Sequence, residues 1–123
     1  AQQVVTLEEE EVWTGPLLGY WKMRGLAQPI RFLLAYLNVD YREKIYEQGD
    51  APDFSTAAWT DVMDTIGLDF PNMPYFIDGE VRLTEPMAII KYIAVKFGPE
   101  SAIGATLDEK AEVEMMAHIL SEL

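Results

Sequence analysis

The chain has 123 residues, 50% of them apolar and 24% charged, with a formal net charge of −12 and no cysteine. That length supports one core rather than two. The acidity and the scattering of the nine Lys and Arg argue against nucleic acid or an anionic membrane surface as partner, and the missing thiols exclude disulfides, thiolate metal sites and Cys-x-x-Cys redox chemistry.

Residues 1–14 contain four consecutive glutamates, Glu8 to Glu11, and little periodicity. They read as an acidic, solvated arm, with a short added strand or a partner-docking tail as the alternative, because Val4, Val5, Leu7, Val12 and Trp13 are more apolar than a solvated tail needs. Pro16 to Trp21 is expected to be a short buried strand, followed by a turn over Lys22 to Gly25. From Leu26, Ile30, Leu33, Leu34 and Leu37 fall at helical spacing, with Pro29 tolerated in the first turn and Asn38 closing the helix. Tyr41 to Tyr46 reads as a second strand, with Tyr41, Glu43 and Ile45 on one side and Arg42, Lys44 and Tyr46 on the other. Its mixed polarity suggests an edge.

Gln48 to Ala58 is a loop rich in Gly, Asp, Pro and Ser, and Trp59 to Ile66 a short helix. Tyr75 to Ile77 and Val81 to Leu83 then form a hairpin whose turn is placed at Asp78-Gly79. A helix is entered through Glu85-Pro86, where proline's missing N–H costs nothing. Ala88, Ile89, Tyr92, Ile93 and Phe97 give this helix a core-facing stripe, and Gly98-Pro99 stops it. The order is βαβαββα. Two strands joined by a helix are expected to be parallel and the final hairpin antiparallel, so the expected fold is α/β with a mixed four-stranded sheet.

Thr106-Leu-Asp-Glu109 is a capping box opening a last helix with Val113, Met116, Ala117 and Leu120 at periodic spacing. Nothing obvious is left in the chain to cover that apolar face, which either packs back on the sheet domain, begins a helical domain or meets another protein. His118, the single histidine, reads as partly buried and structural rather than as a ligand or base. The Asp and Glu residues lack metal-loop spacing, and there is no phosphate-binding Gly-rich loop, so no metal is expected. No apolar run approaches the roughly 18 residues of a spanning helix, so no transmembrane segment is expected.

Leu18-Gly-Tyr-Trp-x-x-Arg-Gly-Leu26, Gly49-Asp-Ala-Pro-Asp53, Trp59, Gly67-Leu-Asp-Phe-Pro-Asn-x-Pro-Tyr75, Ile77-Asp-Gly79 and Ala88-Ile-x-x-Tyr-Ile93 are several rare blocks standing in order. Together, over residues 16 to 98, they resemble the N-terminal, glutathione-binding domain of cytosolic glutathione transferases, mu class in particular. The resemblance implies a thioredoxin-like domain over residues 15–98, and residues 99–123 as a linker and the first helix of a truncated all-α C-terminal domain. In a thioredoxin-like fold without cysteine the thiol must come from the ligand.

The resemblance also implies site roles. Tyr20 matches the tyrosine whose hydroxyl favours the thiolate of bound glutathione, and a hydrogen bond to the charged form lowers the pKa of the nucleophile. Trp21, Leu26, Trp59 and Asn72 match groove-lining positions. Met73 before Pro74, at the position where thioredoxin-type folds carry a cis-proline, would pair its backbone with the cysteinyl part. Three departures weaken the match. Thr56 and Met63 replace basic residues expected to hold the glycine carboxylate, and Glu85-Pro86 replaces the family's Gln-Ser at the γ-glutamyl end. Proline offers neither a hydroxyl nor an N–H, and Glu85 adds like charge, although it could accept from the γ-glutamyl ammonium. Phe70 matches an aromatic that inserts into a partner subunit.

Two functional readings follow. One is a glutathione transferase-like, non-catalytic binding or assembly module in a larger complex, with protein partners meeting Phe70, the 1–14 arm and the 107–123 helix. The other is an active transferase in which a Tyr20-stabilised glutathione thiolate attacks an electrophile. A soluble protein is expected, cytoplasmic by resemblance, or organellar if a targeting segment preceded Ala1.

Overall fold

The computed structural model describes residues 2–4, 13–99 and 104–121. Its strands are β1 (Gln2–Val4), β2 (Leu17–Trp21), β3 (Tyr41–Tyr46), β4 (Tyr75–Asp78) and β5 (Val81–Thr84). Its helices are α1 (Gln28–Tyr36), entered through a 3₁₀ turn at Gly25–Ala27, the single turn α2 (Ala57–Thr60), α3 (Pro86–Phe97) and α4 (Leu107–Ser121). The thioredoxin-like mixed sheet is present: β2 and β3 are parallel, while β4 runs antiparallel to β2 and to β5.

Two sheet expectations are corrected. The order is β1-β3-β2-β4-β5, with β1 pairing parallel to β3 through Gln2 and Tyr41, so β3 lies inside the sheet rather than at its edge. The arm therefore contributes the added strand that was its alternative reading; Glu8 to Glu11 lie outside the described residues. Glu43, which made β3 look like an edge, is only 3% exposed because Arg31 of α1 meets it with Nε 2.8 Å from Oε1. A buried charge is tolerated when it is paired and hydrogen-bonded.

The hairpin turn sits one residue later than expected. Asp78 pairs with Val81, so Gly79 and Glu80 are the two loop residues. Only Gly79 takes positive φ, at 63°, as a turn with glycine in its first central position requires. Asp78 stays in the strand because its Oδ2 accepts hydrogen bonds from the Tyr92 hydroxyl, at 2.6 Å, and from Lys96, tying the hairpin to α3.

Alternation along the strands sorts the core. Leu18 and Phe76 face α1 and α3, where they meet Ile30, Leu34, Ile89 and Ile93, all fully buried. On the opposite face Tyr46, Trp59 and Tyr75 pack together beneath α2, with the Trp59 and Tyr75 rings stacked at 5.8 Å. The capping box forms as expected: Thr106 Oγ1 accepts from Glu109 N–H at 3.1 Å, and Glu109 Oε1 accepts from Thr106 N–H at 3.0 Å. The α4 face remains uncovered, with Leu107, Met115 and Met116 exposed. His118 is corrected from partly buried to exposed, near Glu114 on the helix surface. No described helix is long and apolar enough to cross a membrane.

Candidate functional site

Strand register gathers most of the expected site at one end of the sheet. Gly19 lies opposite Tyr75 and Tyr75 opposite Thr84. One residue further on, Tyr20 of β2, Pro74 before β4 and Glu85 after β5 therefore stand in a row. This is the end where the parallel strands β2 and β3 finish, the usual location of ligand crevices in α/β sheets.

Tyr20 is 7% exposed, and its hydroxyl oxygen accepts a hydrogen bond from Leu26 N–H at 3.1 Å. The loop 22–25 makes that contact possible. Gly25 has φ 40°, and a Cβ there would fall 2.4 Å from the Tyr20 oxygen, so only glycine lets the backbone close over the phenol. Leu26 itself is 54% exposed.

The Met73–Pro74 peptide bond is cis, as the thioredoxin-like reading expects, and both residues are buried. The Met73 N–H, which an extended peptide ligand would use, is taken by the side chain of its neighbour: Asn72 Oδ1 accepts it at 2.9 Å. Asn72 therefore holds the donor that it was expected merely to flank. Glu85 is exposed and occupies the N-cap of α3 at φ 73° and ψ 117°, a conformation rare for a residue with a side chain, and its carboxylate makes no capping bond. Pro86 is the first helical residue, so that helix end lacks one backbone donor.

Trp59 is not brought into the groove. It is 7% exposed, and its ring is wedged edge-on against Tyr46 at 5.4 Å and stacked on Tyr75, whose hydroxyls meet each other at 2.7 Å. Trp21 is half-buried and lines a small recess of about 490 Å³ with Lys22, Met23, Tyr46, Glu47 and Gln48. A larger open groove of about 1230 Å³ runs along the sheet face beneath α2, past Leu17, Tyr46, Val62 and Arg82; Tyr20 lines neither. Thr56 and Met63 put no charge near α2, as the sequence indicated. Among the described residues no three His, Asp or Glu side chains converge as a metal site needs.

Sequence reasoning missed the Leu26 N–H because a backbone donor has no side-chain signature, and the Arg31 contacts because Glu43 and the 22–25 loop carbonyls meet Arg31 only in the fold. A glycine between Arg24 and Leu26 was the available signal of a close approach.

Comparison with known proteins accords with this geometry. The model of the "Glutathione S-transferase, N-terminal domain" family matches residues 16–95. Glutathione S-transferase 2 of Gallus gallus is 47% identical over 106 residues, covering 86% of this chain and 47% of that protein. Glutathione S-transferase Mu 1 of Oryctolagus cuniculus is 46% identical over 105 residues, covering 85% of this chain and 47% of its own length. The solved structure of the glutathione S-transferase Blo t 8 superposes with a TM-score of 0.74 at 35% identity, over 86% of this chain and 45% of that one. The chain thus spans about half the length of the relatives it matches. With the family model spanning β2 to β5 and most of α3, and mu-class relatives at this identity, the chain belongs to the glutathione S-transferase family.

Proposed function

We propose that this domain binds glutathione at the Tyr20 end of the sheet and favours its thiolate, as the first half of a glutathione transferase. The observation that carries this reading is the Leu26 N–H donated into the Tyr20 oxygen. With one of its acceptor positions filled, the phenol keeps its O–H for an incoming sulfur and becomes a stronger donor, because chained hydrogen bonds polarise one another. A thiolate so stabilised is the nucleophile for attack on an electrophile. Leu26 and Trp21 supply apolar walls, and Met73–Pro74 the peptide-pairing edge once Asn72 releases the Met73 N–H.

The anchors for the ligand's carboxylates are poor. Pro86 has no donor, and Glu85 places a negative charge beside the γ-glutamyl end. Each lost hydrogen bond to a charged group is worth about 1.5–3 kcal/mol, so glutathione binds weakly. Calorimetric titration of the full chain with reduced glutathione tests the reading, with binding expected in the upper micromolar to millimolar range. Absence of any heat in folded protein would sink it. Replacing Glu85→Gln together with Pro86→Ser is expected to tighten binding by about tenfold or more, which two restored donors justify.

A second reading, a non-catalytic assembly module, draws on the exposed apolar surfaces. Phe70 is 80% exposed, and Met115 and Met116 on α4 are uncovered. These surfaces and the 1–14 arm would meet a protein partner, in the cytoplasm if the chain follows its family. A native mass corresponding to a simple homodimer, together with loss of activity in Tyr20→Phe, would exclude this role.

A further inference from the structure

Arg31 stands in the first turn of α1, outside the row of site residues, and its guanidinium points back along the helix, as long helical side chains do. Its Nε donates to Glu43 Oε1 at 2.8 Å. Its Nη1 reaches Gln28 Oε1 at 2.9 Å, the Met23 carbonyl at 3.0 Å and, more weakly, the Arg24 carbonyl at 3.4 Å. Glu43 is rooted in the middle of β3, and its other oxygen faces the Tyr41 hydroxyl at 3.5 Å. The Tyr41 phenol is held protonated by burial and by the Glu43 charge, so it serves this carboxylate as a donor.

This arrangement joins three elements at one planar cation. Arg31 Nη1 grips the Met23 carbonyl in the 22–25 loop and more weakly approaches that of Arg24, and Glu43 fixes Arg31 from the middle of β3. The same loop ends at Leu26, whose N–H lies on the Tyr20 oxygen. A rigid fork of several donors can hold two carbonyls and a carboxylate at once, whereas an ammonium cannot reproduce that geometry.

We propose that Arg31, braced by Glu43, is a positioning residue for the Tyr20 hydroxyl: by pinning the Met23 and Arg24 carbonyls it keeps Leu26 N–H on the phenol oxygen. This inference rests on the reading of Tyr20 as the thiolate-stabilising group, and the loop geometry allows it to be tested separately. Arg31→Lys in the full chain keeps the charge beside Glu43 and loses the fork. Exchange of the Leu26 amide is expected to accelerate by about tenfold or more while amides in the β2–β4 ladder stay protected. The pKa of the bound glutathione thiol is expected to rise by about one unit, about tenfold less thiolate at a pH below it, with glutathione affinity changed less than about twofold when measured at a pH below the bound thiol's pKa.

A merely structural ion pair would lower stability without singling out Leu26 or the thiol. Unchanged Leu26 exchange and an unchanged thiol pKa in folded Arg31→Lys would therefore overturn the proposal. If that variant does not fold, the double replacement Arg31→Met with Glu43→Leu removes the fork without leaving a charge unpaired, an exchange that buried ion pairs often tolerate, and the same two readouts apply. Should the wild-type chain bind no glutathione, the proposed function fails, while Leu26 exchange still decides whether Arg31 positions the loop.

Discussion

The helix-covered face of the sheet and the end of the sheet that carries Tyr20 are built differently. On the covered face Leu18, Ile30, Leu34, Phe76, Ile89 and Ile93 are completely buried, and each contact is supported by several others. At the site end, single hydrogen bonds decide geometry: Leu26 N–H on Tyr20, Asn72 on Met73 N–H, and Arg31 on the loop carbonyls. The first region is redundant and expresses itself in stability. The second has little redundancy, so under the proposed function its residues would express themselves in the properties of a bound ligand.

The strongest way to test that division is from the core. Phe76→Ala removes a fully buried ring between β2, α1 and α3 and is expected to cost about 3–5 kcal/mol, read as a lowered urea midpoint. A loss below about 1 kcal/mol would mean that the face is less tightly packed than its burial implies.

From the site side, Tyr20→Phe is expected to raise the pKa of the bound glutathione thiol by about 1–2 units, the equivalent of one hydrogen bond to a charged group. Its unfolding free energy should change by no more than about 1 kcal/mol, since only the Leu26 bond is lost from the protein itself. Ultraviolet absorbance of the thiolate against pH gives the first quantity and chemical denaturation the second. A large stability loss with an unmoved thiol would reverse the assignment of Tyr20 to the site.

The Asp78–Tyr92–Lys96 cluster lies at the end of β4 away from Tyr20, tying the hairpin to α3. Burial opposes ionisation of Asp78, yet the hydrogen bonds from Lys96 and Tyr92 and the Lys96 charge outweigh it and hold the carboxyl below its ordinary range. A carboxylate with a depressed folded pKa contributes stability above its unfolded pKa, about 4, and loses it as pH falls through the folded value. Urea midpoints should therefore drop on acidification below about pH 4 by more in the wild type than in Asp78→Asn. Parallel pH curves for the two proteins would show that the cluster contributes nothing to acid sensitivity.

The smallest effect is expected at the capping box. Thr106→Ala removes the acceptor for Glu109 N–H and should cost about 1 kcal/mol of local helix stability. It should appear as faster amide exchange in the first turn of α4, with the sheet unaffected.

Much of the fold was legible in the residues themselves. Helical spacing located α1 and α3, glycine and proline marked their ends, and Thr106 with Glu109 announced the start of α4. The Asn-x-Pro-Tyr stretch marked the cis bond before Pro74, and the register of β2 and β4 brings that bond to the same end of the sheet as Tyr20. The packing of Trp59 was not legible, because an aromatic matching a groove position looks the same in sequence whether or not its ring stacks on Tyr75. The turn was set one residue early because Asp-Gly is a strong local signal, while Tyr92 and Lys96, which hold Asp78 in the strand, lie 14 and 18 residues further on.

By itself the sequence determined the order of elements from β2 onward, the family and the chemistry available, because periodicity, turn residues and motif spacing act over a few residues. The tertiary structure alone decided that β3 is interior, that Glu43 is buried against Arg31, that His118 faces solvent, and that Leu26 N–H rests on Tyr20. Each of those depends on a partner supplied by another element or by the path of a loop, and the energy of a hydrogen bond or a buried charge is set by what the fold brings within about 3 Å of it.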